Sequence, residues 1–233
     1  MPMLPKLLNV LTLTLALSLS SGLLPSVIPA ARALPASTVQ QRPIRVLMII
    51  NEGFWAPEYY VPRQLFDKQG FKVTVAGKYA GPVHPDKRNQ DDPPVNVDLT
   101  FEQVDLADYD ALTFAGGNGA WTDYFPNDTI HHILSEALAK NMVTGLLCAS
   151  TGLLGMTNNY DGQGSPVAKG RHVTGYFRVE GILRMGQVNY DPGDPKQPYA
   201  VIDGNLITGR DPGSSQVFAQ AVLEVIKARF KLN

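Results

Sequence analysis

A repeated alternation of short apolar runs with stretches of helical spacing constrains this chain most. IRVLMII (44–50) is a β-branched apolar run of the kind found in buried parallel strands. It is followed by APEYYVPRQLFDKQG (56–70), whose spacing predicts a helix with Val61 and Leu65 inside, Tyr60, Gln64 and Asp67 outside, and Gly70 as its stop. FKVTVAG (71–77), YDALTFAGG (109–117) and the apolar run Val143, Leu146, Leu147 read as further strands. NDTIHHILSEALAK (127–140) reads as a helix capped by Asn127 or Asp128. HVTGYF (172–177) is expected as a strand, RVEGILRMG (178–186) as a short helix, and residues 205–230 as strand, turn and long closing helix. Strands alternating with helices of roughly ten to fifteen residues imply βαβ units and a doubly wound sheet. Two longer polar loops, 78–108 and 157–171, are expected to border a pocket.

The N-terminus departs from this pattern. Lys6 precedes an uncharged apolar stretch from Leu7 to about Leu24, then small residues and prolines ending in Ala31-Arg32-Ala33. This is the layout of a secretory signal peptide over residues 1–33 with an A-x-A cleavage site. An uncleaved anchor is the alternative, weakened by Ser18, Ser20, Ser21 and Gly22 within the span. Residues 34–43 read as a linker and 44–233 as one globular domain, so the expectation is an exported protein, periplasmic or secreted, with no membrane association once the signal is removed. With Lys+Arg 20 against Asp+Glu 21 the chain has no basic excess. Neutralising phosphates needs one, so nothing here points to a nucleic-acid partner.

Cys148 is the single cysteine. That count excludes an intramolecular disulfide and a structural zinc built on several thiolates. In an exported chain a leftover cysteine suggests a free reactive thiol or an intermolecular bond. It falls between an apolar strand and the small residues Ala149-Ser150-Thr151-Gly152, where a tight strand-to-helix turn exposes a nucleophile. The following helix N-terminus is expected to lower the thiol pKa. Backbone N–H groups of Ala149 and of the turn at Gly116-Gly117 are candidate oxyanion donors. The competing reading is a small hydrophobe at the end of a core strand.

The blocks RVLMIINEGFWAPEYYVPRQLFDKQGFKVTVAG, LADYDALTFAGGNGAW, VTGLLCASTGLLG, GRHVTGY and DGNLITGRDPGSSQVFAQAVLEVI resemble, in order and spacing, the ThiJ/PfpI family of the class I glutamine amidotransferase-like superfamily, which includes the Parkinsonism-associated deglycase. The likeness runs over residues 44 to 230. It implies a flavodoxin-like three-layer α/β/α sandwich with a mostly parallel sheet, Cys148 at the nucleophile elbow, and a homodimer. It also matches Glu58 to the family's acidic residue that approaches the elbow sulfur, and Gly116 and Gly117 to the glycine turn facing it.

Two positions depart from the family pattern. Peptidase-like members carry histidine directly after the elbow cysteine, where this chain has Ala149; others take one at the position of Tyr176. A tyrosine hydroxyl is a poor base near neutral pH but can orient a substrate carbonyl. The four histidines do not replace the missing one. His172 is expected at the far end of its strand, and His131 and His132 are about 100° apart on one helix. His84, near Asp86, Asp91 and Asp92, is a weak metal candidate. GGNG lacks dinucleotide-fingerprint spacing and no phosphate-binding loop motif is present, so no cofactor and no metal are expected. Three functions remain: a cysteine enzyme acting on a small-molecule carbonyl or amide, glyoxalase- or deglycase-like or amidohydrolase-like; a redox-responsive or protective thiol protein; or a binding module that has lost the chemistry.

Overall fold

The computed structural model describes residues 42–89, 91–160 and 164–232. The expected signal segment, 1–33, and most of the linker, 34–43, lie outside the described residues. The strands are β1 (Arg45–Ile49), β2 (Lys72–Gly77), β3 (Gly81–Val83), β4 (Val95–Val97), β5 (Leu99–Thr100), β6 (Ala111–Phe114), β7 (Val143–Leu147), β8 (His172–Val173), β9 (Asn189–Tyr190), β10 (Ala200–Asp203) and β11 (Leu206–Gly209). The α-helices are α1 (Ala56–Lys68), α2 (Asp128–Ala139), α3 (Leu153–Met156), α4 (Glu180–Met185) and α5 (Ser215–Phe230).

The main sheet has the order β10-β11-β7-β6-β1-β2-β5. All its neighbouring strands run parallel except the edge pair β10–β11. Helices cover both faces, giving the flavodoxin-like sandwich that the alternating pattern implies. The central strands are near-continuous apolar runs because both of their faces are covered; β7 is buried at every residue. Among the described residues no helix is long and apolar enough to cross a membrane.

Helix α1 begins with Pro57 near its first turn and ends at a Gly70 with φ +72°. Its buried stripe is Glu58, Tyr59, Pro62 and Phe66, with Val61 and Leu65 only partly covered. The expected inner face is therefore displaced, because Tyr59 and Phe66, seven residues apart, carry more apolar surface than the aliphatic pair. Asn127 caps α2, its side chain accepting from the Ile130 N–H at 3.2 Å. The strand expected over 172–177 stops at Val173 and pairs with β9 outside the main sheet, so Tyr176 stands on a loop. The 78–108 segment holds the β3–β4 hairpin and β5.

Candidate active site

The carboxyl ends of β7, β6 and β1, adjacent in the sheet, converge on one crevice, which is where open parallel sheets bind ligands. Cys148 sits at the end of β7 with φ +60°, a left-handed conformation that costs a side-chain-bearing residue about 1–2 kcal/mol. The small, hydroxyl-bearing residues after it brace this elbow. Ser150 Oγ accepts from the Leu147 N–H at 3.0 Å and lies 2.8 Å from the Leu147 carbonyl and 3.1 Å from that of Phe114. The Thr151 hydroxyl donates to the Cys148 carbonyl at 2.6 Å. The following turn is tight over Cys148–Gly152 and only then becomes the four-residue α3.

Glu58, on the first turn of α1, is 1 % exposed. Its Oε2 accepts the Gly116 N–H at 2.6 Å, and its carboxyl group faces the Cys148 thiol closely enough that each shifts the other's proton affinity. Its Oε1 is buried and finds no hydrogen-bond partner among the described residues. Burial pushes the Glu58 carboxyl up to about 8, against the downward pull of the thiol and the Gly116 amide. Burial also pushes the Cys148 thiol well above its ordinary value, reinforced by the charge of Glu58; only the Ala149 N–H pulls it down. The expected lowering by a helix N-terminus is thus overturned: the helix is too short and too late, and the thiol is 4 % exposed beside an acid. The thiol and carboxyl therefore titrate as neighbours that influence one another.

The glycine turn closes the other side. A Cβ on Gly116 would lie 2.7 Å from Glu58 Oε2 and from the Leu147 carbonyl, so the strands approach this closely only because the residue is glycine. Gly117 has φ +106° and bridges to Phe54, and a Cβ there would meet the backbone of Gly53 and Phe54. Of the candidate oxyanion donors, the Gly116 amide is already committed to Glu58. Gly117 and Ala149 line the pocket itself. Asn51, fully buried at the end of β1, donates to the Gly116 carbonyl at 2.9 Å and to that of Ala115 at 3.3 Å, fixing the turn from behind.

Glu58, Cys148, Gly117, Ala149 and Tyr176 line one pocket of about 390 Å³, with Trp55, Trp121 and Pro212 adding apolar walls. Arg88 stands at its rim with its guanidinium 4.5 Å from the Trp55 ring centroid. Buried Asp86 holds it through Nε at 2.7 Å and Nη2 at 3.0 Å, and also accepts from Asn118 at 2.7 Å. Arg88, Trp55 and Asn51 went unmarked in the sequence. Trp55, three residues before Glu58 at a strand-to-helix junction, carried a usable signal, whereas Arg88 lies in a polar loop with none.

The histidines stand elsewhere. His131 is a strut, with Nδ1 2.6 Å from Thr157 Oγ1 and Nε2 2.9 Å from the Phe125 carbonyl. The His132 ring packs edge-on to Tyr160. His84 contacts Glu52 at 3.2 Å, and Asp86 faces Arg88 instead. Among the described residues no group of three or more His, Cys, Asp or Glu is gathered to hold a metal. No histidine lines the pocket.

Comparison with known proteins agrees with this fold. Protein DJ-1beta of Drosophila melanogaster is 26 % identical over 186 residues, covering 80 % of this chain and 91 % of its own. The glutathione-independent glyoxalase of Saccharomyces cerevisiae is 25 % identical over 215 residues, covering 75 % and 90 %. The crystal structure of a ThiJ/PfpI domain protein from Brachyspira murdochii superposes with a TM-score of 0.69 at 22 % identity, covering 81 % of this chain and 99 % of that one. The model of the DJ-1/PfpI family matches residues 44–225, nearly all of the folded domain, and on that match the chain belongs to the DJ-1/PfpI family.

Proposed function

We propose that the chain is a cysteine-dependent enzyme acting on small carbonyl electrophiles, of glyoxalase or deglycase type. One observation carries the reading: the buried Glu58 carboxyl and the single cysteine line the same largely apolar pocket, where burial pushes the carboxyl up to about 8. A proton acceptor is most effective when its pKa lies near the working pH, so Glu58 supplies the base that no histidine supplies. Relatives that include a glutathione-independent glyoxalase support the same class.

Cys148 Sγ bonds to the aldehyde carbon as its proton passes to the Glu58 carboxylate. The carbonyl electron pair moves to oxygen, which the Ala149 and Gly117 N–H groups stabilise until Glu58 returns the proton, giving a hemithioacetal. With a 2-oxoaldehyde the same carboxylate carries the C1 proton to C2. The resulting thioester is released by water as a 2-hydroxy acid, with no external oxidant or reductant.

The test is turnover of a small 2-oxoaldehyde by the wild-type chain and by Cys148→Ser, with folding followed by circular dichroism. Product formation should vanish in the variant while the fold persists. Undiminished turnover without the thiol removes the proposal. The absence of any imidazole from the pocket favours a second reading, a binding module without turnover; saturable binding with no product at pH 8.5 selects it. An exported setting, supported by residues 1–33, and a homodimer belong to the same proposal. They are checked by N-terminal sequencing of the secreted chain and by light scattering.

A further inference from the structure

Tyr176 lines two cavities at once. One is the 390 Å³ pocket that holds Cys148. The other is a cleft of about 910 Å³ beside it, walled by Phe177, Tyr190, Pro192 and Pro195. We propose that the Tyr176 ring is the partition between them and sets the size limit on electrophiles that reach Cys148. This inference rests on the reading of Cys148 as the reacting group.

The loop that carries the partition is tied down on several sides. The Thr174 N–H donates to Thr208 Oγ1 at 2.9 Å, tying the loop to β11. The Tyr190 hydroxyl donates to the Gly175 carbonyl at 3.3 Å, and the Tyr176 N–H to the Cys148 carbonyl at 3.4 Å. A Cβ on Gly175 would collide with the Thr151 hydroxyl, so the loop lies directly on the elbow. Phe177 braces the ring edge-on, with centroids 4.6 Å apart at 64°. The cleft beyond is also preformed. Arg210 gathers the segment that forms its rim, donating to the carbonyls of Pro192 at 3.3 Å and of Asp194 and Gln197 at 2.6 Å, while its Nε binds Asp211 at 2.8 Å. Only the tyrosine ring therefore keeps the bulk of a larger reagent out of space that already exists.

The experiment compares second-order alkylation of Cys148 by iodoacetamide and by N-(4-biphenyl)maleimide, read as the small-to-bulky rate ratio. The chain has a single cysteine, so all label reports this thiol. Tyr176→Ala should lower the ratio by about tenfold or more, the scale on which a pocket discriminates by shape. Tyr176→Phe, which keeps the ring, should leave it within about twofold of the wild-type ratio on the same scale. Tyr176→Val carries the same expectation as Tyr176→Ala and replaces it if the alanine variant does not fold. An unchanged ratio in the small variants, with iodoacetamide still reacting, overturns the partition alone. An equal fall in Tyr176→Phe overturns it too, since the hydroxyl and not the ring would then be responsible. A wild-type chain inert to both reagents while Tyr176→Ala takes the bulky one supports the partition and overturns the proposed function. Inertness in every variant overturns both.

Discussion

The Gly116 amide donates to Glu58 Oε2 at 2.6 Å, so the acid beside Cys148 is held by the backbone of β6's end rather than by another side chain. A backbone donor cannot rotate away. It leaves the thiol as the neighbour whose titration the acid influences.

The charge state of Glu58 should be visible in stability. Its carboxyl sits at about 8 in the folded chain against an ordinary value of 4.5. Between those values the folded protein keeps a proton that the unfolded chain has released. Stability therefore falls as pH rises through that window, by up to ~1.4 kcal/mol per pH unit from this group, and levels off above about pH 8. Glu58→Gln lacks this titration, so urea unfolding should show its stability relative to wild type improving from pH 5 to pH 8. Because the charge of Glu58 pushes the Cys148 thiol up, the same variant should alkylate faster than wild type above pH 8. A difference in stability that does not change with pH argues against a neutral Glu58.

Gly116→Ala should cost both stability and chemistry. The added Cβ would stand 2.7 Å from Glu58 Oε2 and from the Leu147 carbonyl, and 2.8 Å from the Ala149 nitrogen. Two of those neighbours are backbone, so the strand ends must separate. A loss of about 1–3 kcal/mol, the usual cost of overpacking, is expected in thermal or chemical unfolding. Turnover should drop by at least about tenfold because a displaced acid no longer meets the thiol.

Cys148→Gly and Cys148→Ala both remove the thiol, but only glycine accepts φ +60° without strain. The glycine variant should be the more stable of the two by about 1 kcal/mol. Paired denaturation curves decide it, and equal or reversed midpoints would mean that the elbow relaxes once the sulfur is gone.

The fold was legible because buried parallel strands announce themselves as apolar runs and the helices between them as periodic ones. Cys148, Gly116 and Gly117 were legible as short motifs at the ends of those runs, and Glu58 only through the family resemblance. What escaped depends on contacts distant in sequence. HVTGYF has the composition of a strand, yet only His172 and Val173 find a partner. Ala200–Asp203, an antiparallel edge strand exposed in part, lacks the buried apolar signature. Arg88 becomes part of the pocket only through its stacking on Trp55 and its clasp by Asp86. The thiol's proton affinity was misread for a related reason: a turn and a helix start can be seen in a string of letters, but burial beside an acid contributed by α1 cannot.

Arg210 follows β11 directly, and its guanidinium holds the carbonyls of Pro192, Asp194 and Gln197. Ordering a segment of that length costs on the order of 1 kcal/mol per residue in backbone entropy. The residues between Pro192 and Gln197 have no strand or helix hydrogen bonds to offset that cost. One side chain thus clasps three carbonyls of this rim to the end of β11, on the same stretch of chain that brings Pro212 to the Cys148 pocket.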